Sequence, residues 1–262
     1  MIRTIGIAER EILEQNLKRL KLRHIRHGLD TINEVALAEE PSYLDFLAYL
    51  VQEEIAGRET TQKQRRLKAA RFPAWRTLDE FDFTFQTSVS QQTMRDLATL
   101  EFIKNRENLI FLGPPGVGKS HLAIALGIKA VNAGYNTLFT TMDELAAKMY
   151  ASLADDSLTK YMRSLLRNQL IILDEVGYLT LDKTASDHLF QLVSKAYENI
   201  ALIVTSNLDF SEWGTLFASP STAAAVLDRL LHHAHVITLR GDSYRIRNRL
   251  VPPRTTSGGG DM

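Results

Sequence analysis

Gly113, four residues, Gly118, Lys119 and Ser120 follow directly on the apolar run Asn108 to Leu112 and lead straight into a helical pattern. This constrains the fold more than any other stretch of the chain. A loop of this kind bends its backbone N–H groups inward around a phosphate, and the helix beginning near Gly118 directs its positive end at the same anion. A Cβ at Gly116 or Gly118 would obstruct that wrap. The motif predicts a strand, a phosphate loop and a helix in that order. Lys119 is expected to reach the β and γ phosphates of ATP as a point charge, and the Ser120 hydroxyl to ligate Mg²⁺, which prefers hard oxygens. The expected nucleotide contacts are Gly113, Pro114, Pro115, Gly116, Val117, Gly118, Lys119, Ser120 and His121, with Pro114 and Val117 as residues of shape alone. The competing reading is a glycine-rich turn that merely joins strand to helix; the lysine, the serine and both flanks count against it.

Further short apolar runs follow at Thr137 to Thr140, Leu170 to Leu173, Ala201 to Ser206 and His235 to Leu239, with amphipathic segments between them. That alternation is the pattern of a parallel sheet with helices on its faces. Residues 77–251 are therefore expected to form one α/β domain, entered through a linker at Leu78 to Gln86 and a helix around Thr93 to Lys104. From Ala8 to about Arg71 the periodicity is helical: Ile12, Leu13, Leu17 and Leu20, then Leu44, Leu47, Leu50 and Val51. Residues 1–76 are expected to form a small all-α domain of four short helices. Gly28 and Gly57 are its stop signals, and Ser42 caps a helix with Asp45 as reciprocal partner. The glycine-rich end, 252–262, is expected to be a flexible tail.

A phosphate site of this kind needs a metal-orienting carboxylate at the end of a neighbouring strand. QLIILDEVG supplies Asp174 for Mg²⁺ and, one residue on, Glu175 as base or orienter of an attacking water, which favours hydrolysis over simple nucleotide holding. The alternative is an acidic pair that merely ends a strand. ALIVTSNLD places Asn207 to hydrogen-bond the γ-phosphate or the water; an Asn capping a turn is the competing reading.

Thirty-one basic residues balance thirty-one acidic ones, so nucleic-acid binding would require segregated patches. Two exist. Arg58, Lys63, Arg65, Arg66, Lys68, Arg71 and Arg76 stand against Glu59 alone, a net of +6, and read either as a solvated helix face or as phosphate contacts. Arg229, Arg240, Arg245, Arg247, Arg249 and Arg254 stand against Asp242, a net of +5. Binding through such patches is salt-sensitive and nearly independent of sequence. The absence of cysteine excludes disulfides, thiolate zinc sites and cysteine nucleophiles, and fits a reducing cytoplasm. No apolar run approaches the length of a membrane span. His232, His233 and His235 have no carboxylate at ligand spacing beside them and read as packing or surface residues.

The phosphate loop, LDE strand and TSN strand resemble, in order and spacing, the AAA+ ATPases. RRLKAARFPAWRTLDEFDF, GPPGVGKSHLA, ILDEVGYL and DRLLHHAHVITLRGDSYR resemble the IstB family of transposition helper ATPases, relatives of the DnaC helicase loaders, over most of the chain. The resemblance implies an AAA+ P-loop ATPase core behind a helical domain for DNA or partner binding and self-association. It also implies ATP-dependent, oligomeric assembly on double-stranded target DNA and engagement of a transposase. On the same footing Arg229, in D-R-L-L, corresponds to an arginine that reaches a neighbour's γ-phosphate; snorkelling from an amphipathic face beside Asp228 is the alternative. Arg245 is the candidate second sensor, with Arg240 and Arg247 near enough to compete. The rival function is a helicase loader that prefers single strands, whose groove stacking aromatics should line; Tyr43, Phe46 and Tyr49 look like helix core instead. A nucleotide-gated scaffold without turnover is a third reading, against which Glu175 stands.

Overall fold

Helical periodicity ahead of Arg71 becomes α1 (Ile7–Arg19), α2 (Arg23–His27), α3 (Leu29–Glu39) and α4 (Tyr43–Ala70) in the computed structural model, which describes residues 6–246. The expected tail and Arg247, Arg249 and Arg254 lie outside the described residues. Gly28 ends α2 and opens α3. Gly57, expected as a stop, instead lies inside α4, which runs for 28 residues. A Cβ there would sit 2.2 Å from Cγ of His24, so the glycine lets α2 lie directly against α4. The Ser42 hydroxyl accepts the Asp45 N–H at 3.3 Å, but the Asp45 carboxylate takes the Ser42 hydroxyl proton at 2.6 Å instead of the backbone N–H that a reciprocal box requires.

Leu17, Ile25 and Ile32 are buried between these helices, with Phe46, Tyr49 and Leu50 of α4 packed around them. Tyr43 departs from the expected helix core and is exposed. Leu44, Leu47, Val51 and Ile55 are exposed as well and form an apolar stripe on the side of α4 away from Phe46 and Tyr49. Glu54 is buried, and its carboxylate accepts the backbone N–H groups of His24 at 2.8 Å and Ile25 at 3.1 Å and the Arg58 guanidinium at 2.7 Å. Burial alone would raise its pKa; the Arg58 and backbone donors outweigh that and hold it below the ordinary carboxylate value.

The chain divides into two compact units between Arg65 and Arg66, within α4. In the second unit the expected helix over Thr93 to Lys104 is two, α5 (Gln91–Leu97) and α6 (Glu101–Asn105), broken at Leu100 with φ +65°. On one continuous helix Leu97 and Phe102 would point about 140° apart; the break buries both. The segment expected as a linker is packed structure, with Leu78, Phe81 and Phe83 against the core and Gln86 buried.

The strands β1 (Asn108–Leu112), β2 (Thr137–Thr141), β3 (Leu170–Val176), β4 (Ala201–Ser206) and β5 (Ala234–Thr238) pair in parallel in the order β2-β3-β4-β1-β5. Successive residues serve opposite faces. Ile110, Ile171 and Leu202 pack against α8 (Met142–Ala154), α9 (Leu158–Leu165), α10 (Lys183–Ala196) and α11 (Pro220–Leu231). Leu109, Ile172 and Ile203 pack against α5, α6 and α7 (Lys119–Asn132). Because the strands are parallel, the loops after β1, β3 and β4 emerge at one end of the sheet, where ligands of open α/β folds bind. Among the described residues no helix is long and apolar enough to cross a membrane.

Candidate functional site

β1 ends at Leu112 and α7 begins at Lys119, so the loop between them has six residues to reverse direction. Gly113 ties it to the sheet by donating to Ser206 O at 3.2 Å. Gly118 caps α7 at φ +102°, and a Cβ there would meet the Phe81 ring at 2.6 Å, so both backbone and packing demand glycine. Pro115, Gly116, Val117, Gly118, Lys119, Ser120 and His121 line a cavity of about 1010 Å³, together with Asp174, Glu175, Thr205, Asn207 and Arg245. Gly113 and Pro114 are not part of that lining. Their carbonyls accept the Lys119 ammonium at 2.6 and 2.8 Å. Burial foremost, with the positive charge of Arg245 adding to it and Asp174 and Glu175 opposing, lowers the pKa of Lys119.

Asp174 is buried near the end of β3, and one of its oxygens accepts the Ser120 hydroxyl at 2.8 Å and the Thr205 hydroxyl at 2.5 Å. Ser120 and Asp174 thus present adjoining hard oxygens at the foot of the loop, a donor set that suits Mg²⁺. Glu175 sits in an irregularity of the β3–β4 pairing, at φ +63°, with its N–H donating to Thr205 Oγ1 at 3.0 Å. The irregularity turns the Glu175 side chain outward while its neighbours Asp174 and Val176 stay buried. Asn207 follows β4 and its Oδ1 is buried without a partner among the described residues. Gly177 makes room for it: a Cβ there would stand 2.4 Å from that oxygen. Such an orphaned acceptor points to a ligand donor or a water.

The remaining candidates separate. Arg245 is exposed at the cavity. Arg229 is at the other end of the sheet, lining a small cleft with Arg106, Asn108 and His233. Its guanidinium donates to Ala225 O at 2.9 Å and lies 4.9 Å over the Phe190 ring; among the described residues it forms no ion pair with Asp228. Lys63, Arg65 and Lys68 are exposed along α4 and Arg66 is half-buried. Arg58, though half-exposed, is engaged by Glu54 and by Lys21 O at 2.9 Å. Arg71 and Arg76 leave the run, because the chain turns at Arg71 with φ +59° and carries both to the phosphate cavity. His232 pairs with the Tyr197 hydroxyl and His235 with Glu107.

Two features of the site were missed in the sequence. Thr205, a hydroxyl inside an apolar run, is brought to Asp174 only by the pairing of β3 with β4. The Thr77 to Ser88 strap presses on the loop through Phe81, through Thr77 O against His121 at 2.7 Å, and through Gln86 to Val117 O at 3.2 Å. The density of aromatic residues in Phe81, Phe83 and Phe85 was the one hint.

The family of IstB-like ATP binding proteins matches residues 15–251. A protein of insertion sequence IS21 from Pseudomonas aeruginosa is 41% identical over 237 residues, which cover 90% of this chain and 89% of the relative. Its counterpart in IS5376 from Geobacillus stearothermophilus is 38% identical over 240 residues, covering 92% and 96%. Both carry ATP-binding in their names. Among solved structures the DnaC helicase loader aligns with a TM-score of 0.50 at 18% identity, over 67% of this chain and 99% of the loader, a likeness of fold.

Proposed function

The chain belongs to the family of IstB-like ATP binding proteins, and from that premise we propose that it is an ATP-hydrolysing, DNA-binding AAA+ protein that assembles on duplex target DNA and assists a transposase in the cytoplasm. The observation that carries turnover over simple holding is the outward turn of Glu175 beside Asp174. This supports the reading of its carboxylate, which lines the same cavity as the loop, as the base or orienter of a water attacking the γ-phosphate.

In this reading Lys119 exchanges the carbonyls of Gly113 and Pro114 for phosphate oxygens, and Ser120 and Asp174 hold Mg²⁺. The metal, when bound, supplies neutralisation of charge on the β and γ oxygens. Asn207 donates from its amide to the γ-phosphate or the water, and Arg245 covers the phosphates from the opposite side. Arg229 acts on a neighbouring subunit. Five residues of β1 separate its end of the sheet from the phosphate loop, about 16 Å, beyond what a side chain already laid on Phe190 spans within its own subunit. The apolar stripe of α4 supports self-association. Lys63, Arg65, Arg66 and Lys68 follow on the same helix as duplex contacts through phosphates, in line with a neutral protein whose basic residues are segregated.

Electron microscopy with ATP and duplex DNA, alongside phosphate release, tests the proposal. Assemblies that need both ligands, with release of phosphate, are expected; duplex binding indifferent to ATP, or no phosphate release, rejects it. Neutralising Arg65, Arg66 and Lys68 together should weaken duplex binding at any sequence and lower the salt slope by roughly one unit for each phosphate that is no longer neutralised. An unchanged slope in a folded variant would make this run a solvated helix face.

A further inference from the structure

Gln86 is 3% exposed, in a stretch whose composition reads as a connector. A primary amide that deep must satisfy both of its functions. Nε2 donates to Val117 O at 3.2 Å, while Oε1 accepts the Ser88 hydroxyl at 2.6 Å and the Ser88 N–H at 3.2 Å. The Ser88 N–H can only donate, which fixes the orientation of the amide. The Ser88 hydroxyl in turn accepts the N–H of Arg240 at 2.9 Å, just beyond β5. Four residues on, Tyr244 donates its N–H to Gly116 O at 3.0 Å and sets its ring edge-on to Phe85 at 5.4 Å. The stretch from Arg240 to Tyr244 is thereby tied to the phosphate loop at both ends, and Arg245 comes next, at the cavity.

These ties act on the peptide planes that would meet phosphate. In a trans peptide the carbonyl and the following N–H point in opposite directions. Holding Gly116 O toward Tyr244 turns the Val117 N–H away from it, and holding Val117 O toward Gln86 turns the Gly118 N–H away from the strap. Loop shape and the placement of Arg245 are therefore set by two ties, one that runs from Arg240 through Ser88 and Gln86 to Val117 O and one that runs directly from Tyr244 to Gly116 O.

We propose that Gln86 and Ser88 are positioning residues that couple the phosphate loop to the Arg245 segment, and that this coupling makes the site discriminate a nucleoside triphosphate from a diphosphate. The inference rests on the reading of the cavity as an ATP site. Without Gln86 or Ser88 the loop still binds the β-phosphate through Lys119, but the Arg245 segment keeps only its Tyr244 tie and is held less firmly for the third phosphate, so triphosphate affinity falls and diphosphate affinity is nearly kept.

Fluorescence titration of the full chain with a nonhydrolysable ATP analogue and with ADP gives the affinity ratio. The wild type should favour the triphosphate. Gln86→Ala and Ser88→Ala should each lower that ratio about fivefold or more, and Gln86→Ala combined with Arg245→Ala should be no worse than Arg245→Ala alone, the mark of coupled residues. Gln86→Glu, which keeps the acceptor but cannot donate to Val117 O, should behave as Gln86→Ala. Ser88→Ala serves if Gln86→Ala fails to fold, since it leaves the amide in place. A wild type without preference, a ratio within about twofold of wild type in folded variants, or additive effects in the double variant would overturn the coupling. A wild type that binds neither nucleotide would overturn the reading of the site itself, and the coupling with it.

Discussion

Lys119 is a buried ammonium whose two hydrogen bonds go to carbonyls of its own loop, and burial, the largest influence, lowers its pKa from the ordinary 10.5. A polyphosphate would reverse that shift, because the anion favours the charged form. Binding therefore takes up protons in the interval between the free and bound values, and nucleotide affinity should fall as pH rises toward 10.5. Calorimetric titration across alkaline pH checks this; a flat profile would mean that Lys119 stays fully charged in the free protein. Lys119→Ala should abolish ATP binding and, as the sole subunit, DNA assembly, whereas Glu175→Gln should keep both and block turnover. Wild-type hydrolysis by Glu175→Gln, or its failure to assemble with ATP present, would remove the catalytic assignment of that carboxylate. At this scale the loop was legible because its chemistry demands fixed types at fixed spacing: Lys119 and Ser120 follow Gly118, and Asp174 follows the apolar run Leu170 to Leu173. Thr205 was not, since nothing local distinguishes a hydroxyl that meets Asp174 from one that completes a strand.

Strands were read more accurately than connections, for a physical reason. A buried parallel strand needs an unbroken apolar run, and β1 and β4 carry theirs at Asn108–Leu112 and Ala201–Ser206, within the expected bounds. Helix ends depend on packing partners absent from the local pattern, as Gly57 illustrates. By propensity alone Gly57→Ala should stabilise α4 by about 1 kcal/mol. The added methyl would lie 2.2 Å from the His24 ring and 2.8 Å from its Cβ. That ring is held by Thr61 at 3.3 Å and its backbone N–H by Glu54, so it has no easy retreat. Overpacking costs about 1–3 kcal/mol and should win. Faster amide hydrogen exchange in α2 of Gly57→Ala is the expected outcome; slower exchange would show that α2 does not press on α4. The same contact should fail in acid. The folded pKa of Glu54 lies below its ordinary 4.5, so its stabilisation is present above that value and is lost as pH falls through the folded one. In Glu54→Gln, α2 protection should no longer vary across that interval; an unchanged acid response would place its origin elsewhere.

Across the whole molecule, Arg229 and the phosphate loop occupy opposite ends of one sheet, which makes the isolated subunit an incomplete catalyst in the proposed reading. Arg229→Ala should then lower hydrolysis by about a thousandfold or more while leaving nucleotide affinity of the isolated subunit almost unchanged, because the guanidinium stabilises charge on another subunit's γ-phosphate. Loss of activity alone would not separate this from a structural part, given that Arg229 also donates to Ala225 O and lies over Phe190. Mixing does. An Arg229→Ala subunit keeps its own loop and Glu175; a Lys119→Ala subunit keeps its arginine but holds no nucleotide. Set side by side in one assembly, the second completes the first, so the mixture should recover hydrolysis that neither variant has alone. Native mass spectrometry establishes whether both subunits share a particle. If they do and phosphate release is still absent, the action in trans is wrong, and Arg229 is left as a brace between α11 and Phe190 of α10.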